Sequence, residues 1–179
     1  DHLLSAKADA EYVAQTVAAW ASRYLPAEPQ QTVAQVPGGS VWVNEADRAF
    51  LRYVDSDDHS WLADEPRSVG GSNLGPDPYE HLLAALGTCT SMTVRMYATR
   101  KELPLDDIDV KLSHRREHVS DCADCEHADV RVDVLDREIA LHGDLTDDQR
   151  TRLLQIADRC PVHRTLEGTL RIDTRERRP

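Results

Sequence analysis

Apolar and polar positions along the chain alternate with two different periods, and the change of period marks its elements. From Ala8 to Leu25 the residues Tyr12, Val13, Val17, Ala18, Trp20, Ala21 and Tyr24 recur at helical spacing, which predicts one amphipathic helix ending before Pro26. The segment PAEPQQ that follows has two prolines and no large apolar residue, so it reads as a linker with a boundary near residue 31. Between Thr32 and Leu62 the short runs TVAQV, VWV, AFLRYV and SWLA are separated by turn-rich PGGS, NEAD and DSDDH, the pattern of an antiparallel meander. The Gly- and Pro-rich stretch PRSVGGSNLGPDP predicts an extended loop. Tyr79 to Lys101 is helical in composition and carries no charge from Leu82 to Val94, as expected of a helix enclosed by other structure.

Beyond that helix, IDVKL, VRVDV and REIALH alternate apolar and polar residues and predict three half-buried strands. The first two are joined by the polar connector HRREHVSDCADCEHAD. Thr146 to Gln149 fits a capping box, with Leu153, Leu154, Ala157 and Cys160 along one face of the helix it opens. Pro161 disfavours helical geometry at the residue before it. The run TLRIDT predicts a last strand. Two parts result: an N-terminal helix and linker over 1–31 and a main domain over 32–179.

Composition narrows the function. The 179 residues suit one domain of ordinary size with a short addition, and 40% hydrophobic with 30% charged residues is the balance of a soluble globular chain. A formal charge of −11 disfavours attraction to phosphate backbones and anionic lipid, so neither nucleic acid nor membrane is an expected partner. The uncharged run 82–94 is too short to span a bilayer. No export signal is visible and four cysteines are too few for a disulfide framework, which together predict a cytoplasmic location. The chain begins at Asp1, so a preceding region could still hold a signal.

The cysteines carry the candidate chemistry. A cysteine in an apolar helix is commonly a small buried hydrophobe, and Cys89 and Cys160 both fit that description. Two core-facing cysteines on separate helices are also what a two-cysteine peroxidase requires. One thiolate attacks the peroxide and becomes a sulfenic acid, and a second thiol condenses with it before overoxidation. A buried thiol needs nearby positive charge or donors to react, and an arginine is the expected source. Cys122 and Cys125 form a C-x-x-C with His114, His118 and His127 nearby, and zinc is one reading of it. If the strand continues through His114 to His118, those imidazoles stand about 13 Å apart, too far to share one ion. An exposed loop with free or locally paired thiols is the other reading.

The runs GPDPYEHLLAALGTCTSMTVRMYATRK (75–101) and LHGDLTDDQRTRLLQIADRCPVHRTL (141–166) resemble the two cysteine helices of the OsmC and organic hydroperoxide resistance superfamily, and the likeness extends over about 32–174. It implies an α+β architecture in which antiparallel sheets wrap two central helices of an intertwined homodimer. It further implies reduction of organic hydroperoxides at an attacking Cys89, disulfide formation with a resolving Cys160, recycling by a dithiol reductant, and no metal or organic cofactor. Well-characterised members carry a Glu ten residues before the attacking cysteine. Here that position is Tyr79, and Glu80 lies nine before, on the opposite face of a continuous helix and about 13.5 Å along it. Glu80 is thus a candidate either for active-site support or for starting the helix. Those members also place an Arg in the early hairpin, for which Arg48 and Arg52 are candidates.

ADEP before the first run and KLSHRREH between the two resemble one branch of that superfamily, and residues 1–25 resemble the end of an α/β-hydrolase with His2 as its triad histidine. Fusion to an upstream hydrolase is therefore one expectation and a simple appended helix the other. No hydrolysis follows in either case, since the nucleophile would lie upstream. The competing function is a non-catalytic dimeric binding or assembly module attached to such a hydrolase.

Overall fold

A computed structural model describes residues 7–21, 36–118 and 131–177. The expected boundary near residue 31, His2, Cys122, Cys125 and His127 lie outside the described residues. The chain divides into two compact units, Asp1–Ala46 with Arg52–Trp61 and Asp47–Leu51 with Leu62–Pro179.

The first unit contains α1 (Lys7–Ala21) and the strands β1 (Trp42–Glu45) and β2 (Arg52–Asp55). β1 and β2 run antiparallel, with Val43 opposite Val54 and Glu45 opposite Arg52. With β3 (Ser60–Ala63) they make a three-stranded sheet of order β1-β2-β3. TVAQV falls mostly outside the described residues, and within them the meander is shorter than the sequence pattern predicts. AFLRYV forms a strand only from Arg52, because the Asp47 carboxylate accepts the amide N–H groups of Ala49 and Leu51 and bends that backbone instead.

The second unit is built on α2 (Pro78–Arg100). Asp77 starts this helix: its carboxylate accepts the Glu80 amide at 2.8 Å, while the Glu80 carboxylate accepts the Asp77 amide at 2.9 Å. Pro78 at the first helical position loses no bond there. The loop before it contains a 3₁₀ turn at Arg67–Val69 and is organised by Asp64, which is only 3% exposed. Burial works against the Asp64 charge, yet the amides of Leu74, Glu65, Ser72 and Asn73 outweigh it and hold the carboxyl below its ordinary range.

Leu86, Thr90, Val94 and Ala98 form the buried face of α2, four residues apart as one helical stripe. Val94 and Ala98 pack with Leu105, Leu145, Leu153, Ile156 and Ala157 in the core. The opposite face is not enclosed as the uncharged run predicts: Met92 and Met96 are 69% and 70% exposed, and Ala84, Ala85 and Thr88 lie along the same side.

β4 (Asp107–His118) and β5 (Arg131–His142) form an antiparallel pair. VRVDV and REIALH, expected as two strands, are one, because Leu135 and Asp136 between them keep the alternation and no Gly or Pro interrupts it. In β4 the residues Ile108, Val110, Leu112 and His114 are the more buried set, facing Leu141, Ile139, Arg137 and Leu135 of β5. Gly143 then takes φ of 131°, and a Cβ there would stand 2.1 Å from the Pro104 carbonyl oxygen, so only glycine fits the turn into α3.

α3 (Asp147–Ala157) opens on the expected capping box, with the Thr146 hydroxyl accepting the Gln149 amide and the Gln149 side chain accepting the Thr146 amide. It stops at Ala157, short of Cys160, and Leu154 is exposed while Leu153 and Ile156 carry the buried face. Pro161 ends one helix and begins another, α4 (Pro161–Glu167), since its fixed φ suits a first helical position. The TLRIDT segment is not a strand. Leu170 and Ile172 are exposed there, for alternation specifies a strand only where an edge is present to pair with it.

Candidate active site

Both thiols of interest lie in the second unit and both are free. Cys89 is half-buried on α2, and the next residue, Thr90, is fully buried. Cys160 is fully buried, not on the face of α3 but in the turn that follows it, where it caps α4. Its Sγ accepts the His163 amide N–H at 3.3 Å. It also lies 3.7 Å from the Thr90 hydroxyl, within hydrogen-bonding range for sulfur. The packing of α3 and α4 against α2 therefore places the Cys160 sulfur against the residue adjacent to Cys89.

A cation lies beside this contact. Arg137 of β5 donates from Nη1 to the Thr90 hydroxyl at 3.0 Å and to the Ala157 carbonyl at 3.4 Å, and from Nη2 to the Asp158 carboxylate at 2.6 Å. Its side chain is 12% exposed. Sequence reasoning anticipated an arginine but did not identify this one, nor Thr90. A signal was present: in the alternation Leu135, Arg137, Ile139, Leu141 one charged residue occupies an apolar-phase position, and a charge placed there needs partners.

Arg137 and His163 also line a cleft of about 730 Å³ with Tyr79, Leu82, Leu86 and Leu166 among its other walls. At one side Tyr79 stacks on His114, ring centroids 4.1 Å apart, and accepts a hydrogen bond from Arg116. His114 Nε2 and Arg116 Nε both meet the Asp133 carboxylate, at 2.8 and 3.0 Å. The His114 hydrogen bond first, then Arg116, hold the Asp133 carboxyl below its ordinary range. His163 pairs with Glu167 at 2.9 Å. The cleft thus joins aliphatic walls to a few fixed polar groups, a lining suited to a small amphipathic molecule.

Glu80 is exposed and occupied in the cap of α2. Arg48 is exposed, and Arg52, in the other unit, pairs with Glu45 at 3.8 Å. Among the described residues no group of three His, Cys, Asp or Glu side chains could hold a metal ion. Nor, among them, is any helix long and apolar enough to cross a membrane.

The sequence model of the OsmC-like protein family matches residues 70–175, a span that contains Cys89 and Cys160. No match is found among curated proteins. Solved structures agree in fold. An organic hydroperoxide resistance protein OsmC from Legionella pneumophila superposes with a TM-score of 0.53 at 15% identity, covering 72% of this chain and 88% of that one. An OsmC-like protein from Mycoplasma pneumoniae gives 0.52 at 21%, covering 72% and 85%. An organic hydroperoxide resistance protein from Elizabethkingia anophelis gives 0.55 at 13%, covering 72% and 87%.

Proposed function

Because the chain belongs to the OsmC-like protein family, we propose that it is a thiol peroxidase that reduces organic hydroperoxides with Cys89 as attacking and Cys160 as resolving thiol. The observation that carries this reading is the contact of the Cys160 sulfur with Thr90, one residue from Cys89 on the same helix. The Cys89 thiolate attacks the terminal oxygen of the hydroperoxide, the O–O bond breaks, and the alkoxide leaves with a proton as the alcohol. Cys89 is then a sulfenic acid. The Cys160 sulfur, giving up its proton, attacks the Cys89 sulfur and expels water, leaving a disulfide that a dithiol donor reduces by exchange. The aliphatic cleft beside Arg137 and His163 supports organic over inorganic peroxide as substrate.

The working molecule is a homodimer in this reading, with a second copy covering the exposed Met92 and Met96 face of α2. Four cysteines in 179 residues are too sparse for a disulfide framework, which suits the cytoplasm. With dithiothreitol as donor, the protein will consume tert-butyl hydroperoxide at least about tenfold faster than hydrogen peroxide, followed by residual-peroxide assay. Equal rates for both contradict the substrate class, and no consumption of either contradicts the enzyme.

A second reading is a non-catalytic binding or assembly module joined to a hydrolase through residues 1–25. The exposed positions of Glu80 and Arg48 favour it, and an inert protein in the same assay is its expected result.

A further inference from the structure

Cys160 lies at the end of a chain of hydrogen bonds, and the sense of that chain follows from the protonation of its sulfur. A guanidinium only donates, so in the Arg137–Thr90 contact the Thr90 oxygen is the acceptor. The Thr90 proton then remains for another acceptor, and the Cys160 sulfur lies within reach. The His163 amide can likewise only donate to that sulfur. Once Cys160 gives up its proton its sulfur can only accept, so it then faces two donors, the Thr90 hydroxyl and the His163 amide, which support the thiolate that attacks the other sulfur.

Arg137 anchors this chain through several partners at once. Arg137 stands opposite Leu112 on the more buried side of β5, and the same guanidinium is tied to Ala157 and Asp158 at the end of α3. Asp158 balances its charge, so its effect on Cys160 comes through the orientation of Thr90 more than through net charge. A planar fork that reaches a hydroxyl, a carbonyl and a carboxylate at once is available to arginine and not to lysine.

Resting on the two-cysteine reading above, we propose that Thr90 and Arg137 are positioning residues for the resolving step: Arg137 orients the Thr90 hydroxyl so that it donates to the Cys160 thiolate, the form in which that sulfur displaces water from the Cys89 sulfenic acid. The step balances as Cys89 sulfenic acid plus Cys160 thiol giving disulfide plus water, with no outside oxidant. Losing one charge-assisted donor slows such a step by about tenfold.

The test follows one equivalent of tert-butyl hydroperoxide, with dimedone quenching at intervals and mass-spectrometric measurement of Cys89 adduct and Cys89–Cys160 disulfide. In Thr90→Val, which keeps the shape and removes the hydroxyl, the adduct accumulates and disulfide forms about tenfold more slowly. Thr90→Ser, which keeps the hydroxyl, recovers the wild-type rate to within about twofold, and Arg137→Lys behaves as Thr90→Val. Disulfide formation at the wild-type rate in Thr90→Val overturns the relay while leaving the peroxidase intact. A slow Thr90→Ser overturns it too, by showing that packing and not the hydroxyl matters. A wild-type chain that forms no such disulfide removes the two-cysteine reading and this inference with it.

Discussion

Cys89→Ser protein will leave tert-butyl hydroperoxide unconsumed, with a turnover rate at least about a thousandfold below wild type. The serine hydroxyl is nearly isosteric with the thiol but is not ionised at neutral pH and cannot be oxidised to a sulfenic acid, so the first bond-breaking step has no nucleophile. Cys160→Ser separates the two roles. It will consume close to one equivalent of peroxide per chain and then stall, because the sulfenic acid on Cys89 has lost its intramolecular partner. Residual-peroxide assay with dithiothreitol checks Cys89→Ser, and the same assay without a donor checks Cys160→Ser, whose stalled Cys89 is trapped by dimedone where wild type has formed the disulfide. Turnover by Cys89→Ser, or a Cys160→Ser protein that fails to react even once, assigns the attacking role to Cys160 instead.

The second large effect is on stability. Leu153 is fully buried between α3 and the Val94 and Ala98 stripe of α2, so Leu153→Ala removes three carbons from a packed site and leaves a cavity. The expected loss is about 3 kcal/mol. For a chain of this size that lowers the melting temperature by roughly 10 °C, read from thermal denaturation followed by circular dichroism. Because the same packing holds α3, and hence the Cys160 turn, against α2, the resolving step should slow in this variant before the fold melts. A shift below about 2 °C would mean that α3 is not held by this core.

How far the sequence discloses this molecule depends on the length scale of each signal. Local signals read well. The Thr146–Gln149 capping box, the helix 78–100 and the strand alternation in β4 and β5 are set by neighbours within a few residues, and all appear in the structure. Signals that depend on tertiary context read less well. Cys160 falls on helical spacing with Leu153 and Ala157, yet Pro161 moves it off that helix and into the turn that brings it to Thr90. TLRIDT alternates as a strand does, but alternation says nothing about whether an edge is available. The uncharged stretch 82–94 predicts enclosure on all sides, whereas among the described residues Met92 and Met96 on α2 stay exposed. Arg137 escaped notice for a related reason: a lone charge inside an apolar alternation reads as noise until its partners Thr90, Ala157 and Asp158, each distant in sequence, are seen around it.

The most direct test of the central claim is to treat the reduced wild-type chain with one equivalent of tert-butyl hydroperoxide, block remaining thiols, digest without reductant and map the peptides. The account predicts a single new linkage within one chain, joining the peptide that contains Cys89 to the one that contains Cys160. A Cys89 found as sulfinic or sulfonic acid while Cys160 remains a thiol would contradict it.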